Sequence, residues 1–175
     1  LNLKSNQIGE AGATAIANSE HMNSLTSLNL KSNQIREAGA TAIAGMASLT
    51  SLNLGRNQIG EAGATAIAQH LSSLTDLNLS YNYIRNRGIS VIANSEHMNS
   101  LTSLNLKDNL IKDAVHDIAK SEHMKSLAIL VLSRNRIGPD EAIAIAESEY
   151  MASLTSLNLY TNHIGDSGAT AIANS

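Results

Sequence analysis

Three copies of the phrase Ser-Glu-His-Met, ending at Met22, Met98 and Met124, set a carboxylate beside an imidazole at His21, His97 and His123. Those groups are zinc ligands and acid–base partners, so metal or proton-transfer chemistry is the first reading to examine. Ligands to one zinc ion must converge to about 2 Å from it. Equivalent residues on stacked units stand at least a strand spacing apart, about 4.8 Å, and nearer 10 Å where helices pack. The spacing therefore gives no shared ion. His116-Asp117 and Ser121-Glu122-His123 carry the letters of a nucleophile, base and orienter, but sequence neighbours do not make that geometry and no strained nucleophile turn accompanies them. Acidic residues are dispersed, and the glycine-bearing stretch around Gly60 and Gly63 lacks the Lys-Ser/Thr of a phosphate loop. With no Cys in the chain, a disulfide scaffold and a Cys-based zinc module are both excluded. The expectation is a protein that is not an enzyme, with no catalytic residue, no cofactor and no metal.

Asparagine is the residue whose spacing is regular. The string Leu-x-x-Leu-x-Leu-x-x-Asn-x-Ile recurs along the chain, as in Leu25, Leu28, Leu30, Asn33 and Ile35. Its Asn falls at Asn6, Asn33, Asn57, Asn82, Asn109, Asn135 and Asn162. A side-chain amide offers two N–H donors and an acceptor oxygen. Repeated at a fixed place it can bridge the backbone of adjacent turns, and losing one would cost about 1–3 kcal/mol for each partner left unpaired. These seven residues are read as a structural ladder.

The elements that would hold such a ladder follow from a change of period inside each repeat. The Leu-x-Leu segment alternates and predicts a short strand. The segment after Asn-x-Ile is rich in Ala, spaced like a helix, and acidic near its start, where the helix dipole favours a carboxylate. Strands joined by helices and stacked side by side make a solenoid. Strands sit about 4.8 Å apart and helices about 8–10 Å apart, so the array bends into an arc with the strands inside. Gly12, Gly39, Gly63, Gly88 and Gly168 share one helical position, which predicts a helix backbone pressed against its neighbour. Val115 and Glu141 replace them in two copies, where the helix is expected to be displaced. Met22, Met46, Leu71, Met98, Met124 and Met151 are expected to close the core at the helix end. The two shortest repeats lose residues after Ala44 and Ala68, placed by this reading late in the helix.

These motifs resemble leucine-rich repeat proteins over essentially the whole chain. Repeats of 24–27 residues with a helix, and the phrase Asn-x-Ile-x-x-x-Gly-Ala-x-Ala-Ile-Ala from Asn33 to Ala44, are similar to the ribonuclease-inhibitor-like subclass. The Gly-Ala-x-Ala-Ile-Ala segment looks most like the bacterial repeats named for a Gly-Ala-Leu-Ala signature. The resemblance implies a right-handed α/β solenoid of about seven repeats, with parallel strands on the concave face and helices on the convex face. It also implies a protein-binding module, and by association the target-recognition part of a bacterial effector. The long alternating repeats and Cys-rich strands of vertebrate nuclease inhibitors are missing, so nuclease inhibition is not implied, and no F-box segment is visible.

On a strand, alternate side chains leave the core. One outward column reads Ser27, Ser51, Asp76, Ser103, Ile129, Ser156; the next is Asn except at Val131. Ile129 and Val131 thus set two apolar side chains where neighbours carry small polar ones. Arg56, Tyr81, Tyr83, Arg134, Arg136, Tyr160 and His163 follow the strands closely, and Tyr and Arg anchor interfaces. These nine residues are the expected partner-binding surface, on the concave face and its rim. Seven strands span roughly 34 Å. At about five residues of width the floor is on the order of 600 Å², short of the about 800 Å² per partner of a standard interface, so the rims are needed.

Composition bounds the rest. The chain has 175 residues, 12 Lys and Arg against 15 Asp and Glu, and four Tyr as its sole aromatics. No basic footprint or stacking platform points to nucleic acid, and no apolar run approaches the roughly 18 residues of a membrane span. The expected partner is a protein. Residues 1–175 read as a single repeat domain without polar caps, hence a fragment of a longer protein, able to associate end to end. The effector reading implies the cytoplasm or secretion into a host cell. Two alternatives are an inhibitor-type clamp over an enzyme and the non-catalytic recognition domain of a larger enzyme such as a ubiquitin ligase.

Overall fold

The computed structural model describes residues 1–175. Six three-residue strands, β1 (Ser27–Asn29), β2 (Ser51–Asn53), β3 (Asp76–Asn78), β4 (Ser103–Asn105), β5 (Ile129–Val131) and β6 (Ser156–Asn158), alternate with helices. The helices are α1 (Glu10–Ala17), α2 (Arg36–Ile43), α3 (Gly60–His70), α4 (Arg85–Ala93), α5 (Val115–Lys120), α6 (Pro139–Ala146) and α7 (Gly165–Ala173). All strands are parallel, in the order β1-β2-β3-β4-β5-β6. Register is kept throughout: Leu28 faces Leu52, and Leu77, Leu104, Leu130 and Leu157 continue the row. The first repeat joins the sheet through one bridge, Asn2 to Asn29, instead of a seventh full strand. The architecture is an α/β leucine-rich repeat solenoid.

The core is one continuous cluster. The strand leucines, the Ile two residues after each ladder Asn and the inward Ala and Ile of the helices fill it, most of them fully buried. Small residues let the helices approach. A Cβ built on Gly63 would lie 2.8 Å from Ala40 Cβ, and one on Gly168 3.0 Å from Ala142 Cβ. Where Gly is replaced by Val, the helix starts later: α5 opens at Val115 itself, six residues after Asn109, against three after Asn82 in α4. Glu141 instead turns its carboxylate back to accept from the Gly138 N–H at 2.7 Å, capping α6.

Between strand and helix the asparagines stand in file, buried from Asn33 to Asn135 and half-buried at Asn162. Asn82 Oδ1 accepts from the N–H groups of Asn57 (2.9 Å) and Ile59 (3.3 Å) in the preceding turn. Its Nδ2 donates to the carbonyls of Leu54 (2.9 Å) in that turn and Leu79 (3.0 Å) in its own. Asn33, Asn57, Asn109, Asn135 and Asn162 repeat this double bridge. Asn6, in the first turn, is exposed and donates to the Lys4 carbonyl of its own turn.

Two further files hold the other corners. Thr50, Thr75, Thr102 and Thr155, just before the strands, each donate a hydroxyl to the carbonyl at the same place one turn earlier, at 3.0–3.2 Å. On the helical side Ser95, Ser121 and Ser148 donate to Ala68, Ala93 and Ala119, and accept from the N–H two residues ahead. The Ser-Glu-His-Met phrases are therefore not helix ends. The serine starts a separate 3₁₀ turn (Glu20–Met22, Glu96–Met98, Glu122–Met124, and Glu149–Met151 with Tyr for His), whose Met is buried in the last three. The two short repeats omit this turn and pass from α2 and α3 to the next strand without it, while α3 is the longest helix. The missing residues are those of the 3₁₀ turn, not of the helix.

Asn82→Ala is expected to destabilise the protein by at least roughly 3 kcal/mol, because several buried groups lose their partners together. Asn6→Ala, exposed in the first turn, should cost less than about 0.5 kcal/mol. Urea unfolding of both variants measures the contrast.

Candidate functional site

The residue before every ladder Asn adopts the left-handed conformation, with φ of 55–61° at Ser5, Ser32, Arg56, Tyr81, Asp108, Arg134 and Thr161. None is glycine, so each carries a local cost of about 1–2 kcal/mol. The geometry shows what that cost secures. The N–H of this residue still bonds along the sheet, as in Tyr81 N to Lys107 O at 2.7 Å and Arg134 N to Tyr160 O at 2.8 Å. The next residue must turn inward to enter the ladder. The left-handed step makes that reversal and leaves its own side chain on the rim.

Arg56 and Tyr81 occupy this step in adjacent turns and Arg134 two turns further on, and the stacking brings the first two into contact. The Arg56 guanidinium lies 4.2 Å from the centre of the Tyr81 ring, and Lys107 Nζ lies 5.5 Å from it. The Lys107 ammonium, placed to donate to the phenolate oxygen, holds the Tyr81 hydroxyl below its ordinary pKa; partial burial opposes it, and the charge of Arg134 and the approach of Arg56 add to it. The ion pairs of the chain are Arg87–Glu61 (3.1 Å) and Lys112–Asp113 (4.0 Å), so Arg56, Lys107 and Arg134 are without a carboxylate partner. Asp108 stands in the same file between Tyr81 and Arg134 and pairs with neither.

Ile129 and Val131 project from β5 as exposed and half-buried side chains. Tyr160 follows β6 and Tyr83 follows Asn82; both are well exposed, at 66% and 61%. Leu110, which the sequence reading missed, occupies the place of Tyr83 one turn on and is also exposed. Its signal was present: the residue after the ladder Asn reads Gln, Gln, Gln, Tyr, Leu, Arg, His along the chain, and Leu is the one aliphatic. Arg136 joins Leu110, Arg85 and Arg87 along a cleft of about 470 Å³ on this rim. The His163 backbone N–H donates to the Ile137 carbonyl at 2.8 Å, and no hydrogen bond ties its ring to the Tyr81 cluster. Apart from Leu1, every exposed large apolar side chain lies in a strand (Ile129) or in the segment between a strand and the next helix (Tyr83, Leu110, Tyr160), and no helix contributes one.

The second outward column is less free than alternation implies. Asn29, Asn53, Asn78, Asn105 and Asn158 each accept, through Oδ1, from the N–H two residues ahead at 3.0–3.1 Å. They fasten the strand end as local Asx turns, and Val131 offers no such acceptor. On the helical side, an open cleft of about 720 Å³ is lined by polar groups such as Gln69, Ser90, His97 and His123, with Val91 its one apolar residue. That lining is unlike the apolar enclosure of a small-molecule site. His123 Nδ1 lies 2.8 Å from Asn99 Oδ1, and no three His, Asp or Glu stand close enough to share an ion.

Ultraviolet titration should show Tyr81 ionising below the ordinary value of a phenol; Lys107→Met should raise it, and a titration unmoved by that change would contradict the cluster. Val131→Asn gives the Ser133 N–H an acceptor. It should raise stability by up to about 1 kcal/mol in urea unfolding, and a marked loss would show Val131 to be packed, not displayed.

Two leucine-rich repeat family models match the chain, one over residues 1–59 and the other over 70–93, 97–114 and 150–173, together more than two thirds of it. No curated protein matches. Among solved structures, an internalin (inlF) of Listeria monocytogenes shares 22% identity with a TM-score of 0.49, over 98% of this chain and 56% of its own. The PEPR1–AtPEP1 complex shares 21% identity with a TM-score of 0.50, over 82% of this chain and 22% of its own. The chain thus spans about half the length of the first and about a fifth of the second. With the parallel sheet, the Asn file and both family models in agreement, this chain belongs to the leucine-rich repeat family.

Proposed function

We propose that the chain is a protein-recognition module that works through its concave strand face and the rim next to the ladder. The observation that carries this reading is that, Leu1 apart, the exposed large apolar side chains Tyr83, Leu110, Ile129 and Tyr160 all lie in a strand or in the segment that follows one, and none on a helix. Scattered single residues would need no explanation; their confinement to the strands and the segments that follow them does. Six strands of three residues make a floor on the order of 300 Å², so the rim, with Tyr83, Leu110 and Arg136, must supply the larger part of a standard interface. The mechanism is rigid display. Side chains set on a backbone fixed by three files of hydrogen bonds lose little further freedom on binding, which lowers the cost of association.

The repeat length and full helices favour the ribonuclease-inhibitor-like subclass. The Gly-Ala-x-Ala-Ile-Ala segments favour the target-recognition part of a bacterial effector. Binders selected by panning a displayed protein library on the immobilised chain test the concave-face reading. They should lose about tenfold in affinity on Tyr83→Ala and on Val131→Asn, the loss of an interface anchor. They should be indifferent to Thr41→Arg on the exposed face of α2. Binders blocked by Thr41→Arg and unaffected by both strand-side changes would overturn the reading.

A further inference from the structure

Charge is divided between the two sides of the repeats. Of the 15 acidic residues, all but Asp76 and Asp108 lie in the helical half, from the helix approach to the residues before the next strand. Lys4, Lys31, Arg56, Lys107, Arg134 and Arg136 lie on the strand side. A chain of net charge −3 therefore presents a positive face where its exposed apolar side chains are. The centre of that face is Tyr81, with Arg56 4.2 Å from its ring centre and Lys107 5.5 Å from it. No ion pair within the chain neutralises Arg56, Lys107 or Arg134. Unpaired cations beside exposed apolar groups make a surface complementary to a chain that alternates anionic and apolar side chains.

We infer that the partner presents an acidic, extended segment, its carboxylates over the Arg56–Lys107–Arg134 trio and an apolar side chain against Ile129 and Val131. This rests on the concave-face reading above and adds the chemistry of what that face holds. Arg56 and Arg134 supply planar forks suited to carboxylate oxygens, and Lys107 a point charge between them. The Tyr81 ring, already covered on one side by Arg56, braces the guanidinium for that role. Binding through exposed charges is screened by salt within about 8–10 Å at physiological strength, so the contact weakens as salt rises.

The test uses the full chain, labelled for amide chemical-shift mapping, and three short synthetic peptides that alternate Leu with Glu, Gln or Lys. The Glu peptide should shift Tyr81, Lys107, Asp108 and Val131, bind at least tenfold more tightly than the Gln peptide, and lose that advantage in Arg56→Gln/Arg134→Gln and at high salt. Equal binding of the Gln peptide at the same residues would overturn the acidic segment and leave concave-face recognition standing. Preference for the Lys peptide would overturn the acidic segment as well. Shifts confined to α1–α7, or no shifts from any peptide, would overturn both readings. Circular dichroism of the double variant separates lost binding from lost fold.

Discussion

A side-chain amide in every turn after the first, bonded both to its own turn and to the one before, is the constraint on which the rest of this structure depends. Each buried Asn must meet two N–H groups with its oxygen and two carbonyls with its nitrogen. Burial without those partners would be costly, so the backbone must arrive in one conformation every time. The left-handed residue before each Asn is the consequence: the local strain is accepted in all seven turns because the ladder cannot close otherwise. The ladder also fixes the distance between turns, and with it the unbroken register of β1 to β6.

Once the inner file is fixed, the rest of each turn is free to vary within limits. On the helical side the serine-started 3₁₀ turn can be present or absent, α3 can lengthen and α5 can shorten, without disturbing the strands. On the strand side the backbone is held by ladder, threonine file and Asx turns, while the outward side chains at Tyr83, Leu110, Ile129 and Tyr160 carry no structural duty. Half of the cations stand there, with only Asp76 and Asp108 as carboxylates among them. A backbone this constrained and a surface this unconstrained suit a molecule whose work is presentation of side chains, and the division of charge between the two sides gives that surface a sign.

The repeat itself made much of the fold legible. Asn at intervals of 24–27 residues, Leu-x-Leu before it and Gly-Ala after it each mean little once; in file they specify stacking, the inward amide and the close helix approach at Gly63 and Gly168. What escaped was pairwise chemistry between turns. Nothing in Ser-Glu-His-Met reveals that its serine reaches a carbonyl about one repeat earlier and so opens a separate turn. The threonine hydroxyls were equally silent. The Asn of the strands looked outward and free by alternation, yet their oxygens are engaged two residues ahead. Lys107 was overlooked and Leu110 was not singled out, because a residue's weight at a site depends on the neighbours above and below it, and those neighbours lie a whole repeat away in the chain. Arg56, Tyr81 and Arg134 were named one by one; that Arg56 and Lys107 come together on the Tyr81 ring is a property of the stack.

Amide hydrogen exchange tests the central claim most directly. The N–H groups of Asn57, Ile59, Asn82, Ile84, Asn109 and Ile111 lie in no helix or strand, and each donates to a ladder oxygen. If the ladder holds the turns together, these amides exchange as slowly as the core amides of α3 and β3, through global opening. Exchange at the rate of ordinary loop amides, while the helices stay protected, would contradict it.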